Sequence, residues 1–222
     1  MYWTQAVDLY CERTDPSFWS EPLNALSNVA FLLAAGLVLR VAGRAAAGPA
    51  WDTVALAALI ALVAAGSFLF HTFATVWAEW LDVLSILAFI YVFLARFLAR
   101  VAGLRARGIA VGLAVYWLAS KALTAPFPPA SFNGSYSYLP PLLVLAGLAW
   151  FARRRADAGA ARLALATVVF AISLALRTVD LAWCEAWPSG THFVWHCLNA
   201  LVLYLAATAL LAQRLPPAAP AA

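Results

Sequence analysis

The chain has 222 residues, of which 65% are hydrophobic and only 11% charged, and its mean hydropathy is +0.86. A soluble domain of this size needs far more polar surface, so a water-soluble globular protein is excluded. The net charge of +4 is carried almost wholly by arginines scattered through short breaks between apolar runs, a pattern that sets membrane topology and excludes a nucleic-acid-binding face.

Residues 1–22 are rich in tryptophan and acidic groups. They lack a basic start followed by an apolar core, so a cleaved signal peptide is not expected, and the first helix reads as an uncleaved signal-anchor. A membrane helix needs about 20 apolar residues. The predicted spans are 23–41, 52–72, 80–101, 108–124, 138–152, 162–183 and 192–213. Loop signals separate them: Gly43 to Pro49, Arg100 to Gly108, Pro126 to Tyr138, Arg153 to Gly159, and Pro188 to Gly190. Pro140 and Pro141 suit the first turn of the fifth span, where a missing N–H costs little. The expected fold is all-α: a polytopic seven-helix membrane bundle. The whole chain forms one domain, with 1–22 external, 23–213 the bundle and 214–222 a short cytoplasmic tail.

Seven spans place the two termini on opposite sides. Arg40, Arg44, Arg96, Arg100, Arg105, Arg107, Arg153, Arg154, Arg155, Arg162 and Arg214 then share the C-terminal side, against Arg13, Lys121 and Arg177 on the other. The positive-inside rule predicts an external N-terminus and a cytoplasmic C-terminus. The carboxylates do the reverse. Asp8, Glu12, Asp15, Glu21, Glu79, Asp82, Asp180 and Glu185 gather on the N-terminal side, with Asp52 and Asp157 opposite. Acidic residues orient helices weakly, so this clustering reads as function, with a solvated acidic rim as the plainer alternative.

The chain has three histidines. His71 ends the second span, and His192 and His196 open the seventh. Ionisable groups within apolar spans are costly and point to function. The spacing of His192 and His196 stacks them on one helix face, as in helical zinc motifs. Alone, such a pair is as readily two satisfied core side chains. The expected topology brings all three to one membrane level. Three nitrogen ligands with an open position describe a catalytic zinc site better than a closed structural one. Asp82 has three open roles: fourth ligand, hydrogen-bond partner of a ligand, or general base for a water of lowered pKa. Ser67, one turn before His71, faces the same way and can hold that water or donate to an oxyanion. Its plainer role is a bond back to a helix carbonyl.

Together, Ser67-x3-His71, Asp82 eleven residues on and His192-x3-His196 resemble the alkaline ceramidase family. That family belongs to a wider group of seven-helix membrane hydrolases that includes the adiponectin and progestin receptors. The resemblance continues in Tyr10-Cys11-Glu12, in Glu21-Pro-Leu-Asn24-Ala-Leu-Ser27-Asn28, and in Arg177-Thr-Val-Asp180-Leu-Ala-Trp183-Cys184-Glu185. It implies zinc held by His71, His192 and His196, with Ser67 and Asp82 assisting a water. It implies hydrolysis of the amide bond of ceramide or a related N-acyl lipid. It also implies a calcium ion near the N-terminus, at positions matching Asp8, the Tyr10 carbonyl, Glu12 and Glu21, with Thr14 or Asp15 as a further oxygen donor. This stretch departs from the family pattern: Asp8 lies one residue further from Cys11, the segment from Cys11 to Glu21 is shorter, and Thr14 replaces an Asn. The resemblance pairs Cys11 with Cys184, which an oxidising compartment would permit.

Among the remaining polar residues, Asn24, Ser27 and Asn28 suit hydrogen bonding between helices. Arg177 and Asp180 are spaced for an i,i+3 ion pair, and Cys197 reads as a packing residue. Trp19, Trp51, Trp77, Trp80, Trp183 and Trp187 lie near span ends and fit interfacial belts. Trp195, beside the ligands, is expected to line a lipid-tail pocket or pack in the core. The expected function is a zinc-dependent membrane amidase acting on a lipid. The alanine-rich, lysine-poor composition suggests a bacterial inner membrane, with the site facing outward. The alternatives are a lipid receptor of the same fold with a structural zinc, and a haem-binding electron carrier using His192 or His196.

Overall fold

The computed structural model describes residues 2–44 and 50–212. Arg214 and the expected 214–222 tail lie outside the described residues, as does the end of the last predicted span. The described chain is all-helical. A short α1 (Pro22–Ser27) runs through Asn28 into α2 (Val29–Ala42). There follow α3 (Trp51–Phe73), α4 (Val76–Arg100), α5 (Ala106–Thr124), α6 (Leu139–Arg154), α7 (Ala160–Val179) and α8 (His192–Ala209). Two 3-10 segments, Ser131–Tyr138 and Leu181–Trp183, precede α6 and follow α7.

Six segments, counting Pro22–Ala42 as one and Ser131–Arg154 as another, are long and apolar enough to cross a membrane. The seventh long helix, α5, carries Arg107 and Lys121 and buries only Tyr116, so it rides on the outside of the bundle. Large apolar side chains face outward along the helices, among them Leu33, Val115, Leu143 and Val168. Inside, Val38, Ile60, Phe97, Leu163 and Ala166 are sealed from all surroundings. Apolar surface on both sides of the helices is the arrangement of a multi-pass membrane protein, with lipid in place of water outside.

The two ends of the bundle differ in charge. At one end Asp52 on α3 is buried and accepts from Arg96 at 2.8 Å and Arg100 at 2.7 Å, both on α4. The other end carries the N-terminal segment. This strand-like stretch pairs with the α3–α4 turn through an Ala6–Thr75 bridge, with Val7 N donating to the Ala74 carbonyl at 2.8 Å and Val76 N to that of Gln5 at 3.1 Å. A Cys11–Cys184 disulfide then fastens it to the loop before α8.

Three expectations are corrected. The sixth span was expected to reach 183, but α7 stops at Val179. Beyond it the chain is committed elsewhere: the Asp180 carboxylate accepts from the amides of Thr191 (2.6 Å), His192 (2.9 Å) and Cys11 (3.1 Å). It thus satisfies free N–H groups at the start of α8. For the same reason Asp180 does not pair with Arg177, whose guanidinium turns instead to the Asn133 carbonyl, Ser135 Oγ and Tyr10 Oη. Cys197 is exposed on the outer face of α8, not packed inside.

Candidate metal centre and lipid cavity

The α3–α4 turn and the start of α8 meet beneath the N-terminal segment. His71 stands in the last turn of α3; His192 and His196 occupy the first turns of α8. One ring nitrogen from each histidine can be chosen so that all three lie within 4.8 Å of one another. The residues are 1%, 3% and 3% exposed, too buried for solvent to satisfy them. His71 Nε2 and His192 Nδ1 have no hydrogen-bond partner. Buried polar atoms are nearly always paired, and an unpaired one costs about 1–3 kcal/mol. A cation shared by the three rings would remove that cost, so the donor set fits a metal ion.

The far side of the rings is braced. His71 Nδ1 lies 2.6 Å from Glu21 Oε2 and His196 Nδ1 lies 2.7 Å from Ser27 Oγ. A proton on each Nδ1 leaves each Nε2 free to ligate, the tautomer that such partners select in metal sites. The Tyr10 ring stacks on His192 with centroids 3.6 Å apart. Glu21 also accepts from Asn24 Nδ2 at 2.9 Å and from Arg13 Nε at 2.6 Å. Burial alone would raise the Glu21 carboxyl, but its bonds with His71, Asn24 and Arg13 prevail and hold it below its ordinary value.

Ser67 and Asp82 face the same space. Ser67 Oγ lies 3.4 Å from His196 Nε2. Asp82 Oδ1 is buried and unpartnered. Both line a cavity that also takes in His192, His196, Tyr10 and Tyr138. Away from this polar end the walls are apolar: Phe89, Phe93, Leu145, Phe170, Trp195 and Val202. The empty space between these walls, open solvent at the mouth included, is about 950 Å³. A polar end on an apolar cavity suits an amphiphile with a hydrocarbon tail. Trp195 is buried in the core and lines this cavity.

Gly66 sets where Asp82 stands. A Cβ there would lie 2.8 Å from the Leu81 carbonyl oxygen and 3.1 Å from Asp82 Cα. Only glycine lets α4 approach α3 this closely. Gly66→Ala is expected to push α4 outward and misplace the Asp82 carboxylate. The measurable result is a lowered thermal midpoint of the purified protein, since the added methyl overpacks the α3–α4 contact.

The N-terminal acidic residues do not gather in this way. Among the described residues, the three histidines are the one group of three or more His, Cys, Asp or Glu side chains placed to hold an ion. Asp8 is exposed. Glu12 accepts from the amides of Leu23 (2.6 Å) and Asn24 (2.8 Å), capping α1. Asp15 accepts from Ser17 N at 2.7 Å. The Thr14 amide is held by Ser20 Oγ at 3.0 Å. Sequence reasoning missed Arg13, the Tyr10 side chain, and the bracing roles of Glu21 and Ser27. The only available signal was their nearness to expected site residues, since the contacts join segments as far apart in the chain as Tyr10 and His192 or Ser27 and His196.

A helical membrane bundle with a buried histidine trio at the polar end of an apolar cavity defines a class of membrane protein able to present a metal ion to a lipid. The chain belongs to the ceramidase family: the model of that family, described as Ceramidase, matches residues 9–218. It is accordingly a ceramidase-like hydrolase, from a family that acts on amide bonds. No curated protein matches the chain.

Proposed function

We propose that the chain is a zinc-dependent amidase that hydrolyses ceramide or a related N-acyl lipid to a fatty acid and an amine. The observation that carries this is the convergence of His71, His192 and His196, of which His192 and His196 line the polar end of an apolar cavity. Family membership supports the substrate class. We further propose that all seven helices span, with the N-terminus outside and the C-terminus cytoplasmic. The arginine distribution supports this, and so does the disulfide between Cys11 and Cys184, which belongs in an oxidising compartment. The site then faces the outer side, the periplasm if the membrane is a bacterial inner one.

When bound, zinc would supply Lewis-acid polarisation of the amide carbonyl and a water of near-neutral pKa. The remaining work falls to the chain. Glu21 and Ser27 hold two ligand rings in one tautomer and one orientation. The apolar wall takes the acyl chain and keeps bulk water from the scissile bond. Asp82 accepts the proton released as water attacks the carbonyl carbon. Ser67 donates its hydroxyl proton to a hydrogen bond with the developing oxyanion. Asp82 then returns its proton to the leaving nitrogen, so that one water is consumed and the C–N bond breaks.

The test is turnover of a defined ceramide by purified protein in detergent, followed by mass spectrometry. Equimolar fatty acid and sphingoid base are expected, lost on chelation and restored by zinc. Stoichiometric zinc without turnover on any N-acyl lipid would favour a lipid receptor of the same fold. A Soret band would point to haem.

A further inference from the structure

Arg13 lies beside the three histidines and takes no part in the proposed chemistry. Its side chain is 5% exposed, and its guanidinium sits in a shell made wholly of oxygen. Nε donates to Glu21 Oε1 at 2.6 Å. Nη1 donates to the carbonyls of Asp15 at 3.1 Å and Ser17 at 3.4 Å. Nη2 donates to the carbonyl of His71 at 3.0 Å. A carboxylate and several carbonyls, from the 15–21 loop and from the end of α3, are the kind of oxygen set a hard divalent cation selects. Here the positive charge is covalent. A guanidinium is always protonated, and its fixed fork of donors matches such oxygens without an ion.

We propose that Arg13 is a built-in cation that replaces the calcium implied by the family resemblance, and that it positions His71 through Glu21. The groups that resemblance assigns to calcium do not fit an ion here. Glu21 divides its two oxygens among Arg13, Asn24 and His71. Glu12 spends both of its oxygens on α1 amides, and the Tyr10 carbonyl receives the Arg13 amide. A dication placed among them would face the guanidinium at close range in a buried, poorly screened site. The connection to the metal centre is direct. Arg13 fixes one Glu21 oxygen and the other meets His71 Nδ1, while the same guanidinium holds the His71 backbone. Loss of Arg13 frees both the ring's partner and the turn that carries it.

The experiment uses full-length protein in detergent. For the wild type, elemental analysis after equilibration with calcium and gel filtration is expected to find no retained calcium. Its thermal midpoint is expected to be the same in calcium and in EGTA. Arg13→Ala is expected to weaken zinc binding about 10- to 100-fold, the usual effect of losing a ligand's outer partner. The same variant should gain a thermal midpoint that rises with added calcium, as the vacated oxygens accept the ion. Arg13→Lys keeps the charge without the fork and should fall between the two in zinc affinity. About one calcium retained per wild-type chain, or a midpoint that calcium raises, would overturn the replacement. Zinc affinity unchanged in Arg13→Ala would overturn the positioning role. Should Arg13→Ala fail to fold, the wild-type calcium measurement and the zinc affinity of Arg13→Lys decide. The positioning role rests on the metal reading proposed above, but the calcium measurement does not. A wild type that takes up no zinc would defeat that reading and leave calcium retention to decide this one.

Discussion

Replacing His196 with alanine is expected to remove the metal and the activity together. His196 is the only histidine of the three that touches both a bracing group and a proposed reacting group: Ser27 Oγ at 2.7 Å on one ring nitrogen and Ser67 Oγ at 3.4 Å on the other. Its ring packs at 4.6 Å from that of His192 and 4.8 Å from that of His71, centroid to centroid. Alanine leaves two imidazoles, and a catalytic zinc site is built on three protein ligands. Zinc measured against protein should therefore fall from about one equivalent to near zero. Ceramide turnover should fall to the chelated background. The fold should survive, because the site lies at one end of the bundle and the main apolar core around Val38, Ile60 and Phe97 lies along its interior. Size exclusion and helical circular dichroism check that. Ser27→Ala provides the graded control: the ligand stays but loses its orienting partner, so zinc affinity weakens only about 10- to 100-fold. A His196→Ala protein that retains full zinc would remove the basis of the proposed function.

Much of this was legible in the sequence, for reasons that also mark where legibility ends. Apolar runs report length, so the predicted 52–72 and 108–124 fall within two residues of Trp51–Phe73 and Ala106–Thr124. Pro140 and Pro141 sit in the first turn of α6, as their missing N–H groups require. The histidines were legible because ionisable groups inside apolar runs have no local use. Arg177 was misread because i,i+3 spacing describes only one helix. Its true partners come from the 3-10 segment at Ser131–Tyr138 and from Tyr10, and three aromatic rings surround it: Tyr10, Tyr138 and Trp195. The Ser27–His196 contact was invisible for a related reason. Periodicity shows which face of a helix seeks cover and says nothing of which distant helix supplies it. Cys197 shows the same gap from outside: exposure to lipid and burial in protein call for similar residues in a membrane helix.

Asp82→Asn separates binding from chemistry and is expected to leave zinc in place while turnover collapses. Asn has nearly the shape of Asp, so the Gly66–Asp82 approach and the bond from Ser85 Oγ to the Asp82 carbonyl at 2.7 Å are preserved. The three imidazoles lose nothing, since they are braced by Glu21, Ser27 and Tyr10 and not by Asp82. What is lost is the ability to take up a proton. An amide side chain cannot serve as base when water attacks, nor return a proton to the leaving nitrogen, and removing such a group costs about 100- to 10,000-fold in rate. The carboxylate is suited to the task because its Oδ1 is buried within the cavity wall yet bonded to nothing in the protein. A structural carboxylate looks different: Asp52 at the opposite end is held by two arginines, and Asp180 by three amides. Binding of a non-hydrolysable amide analogue should be retained in Asp82→Asn, placing the loss in the chemical step. If instead Asp82→Asn sheds its zinc, Asp82 is a fourth ligand. If it turns over at the wild-type rate, the proton is carried by another group.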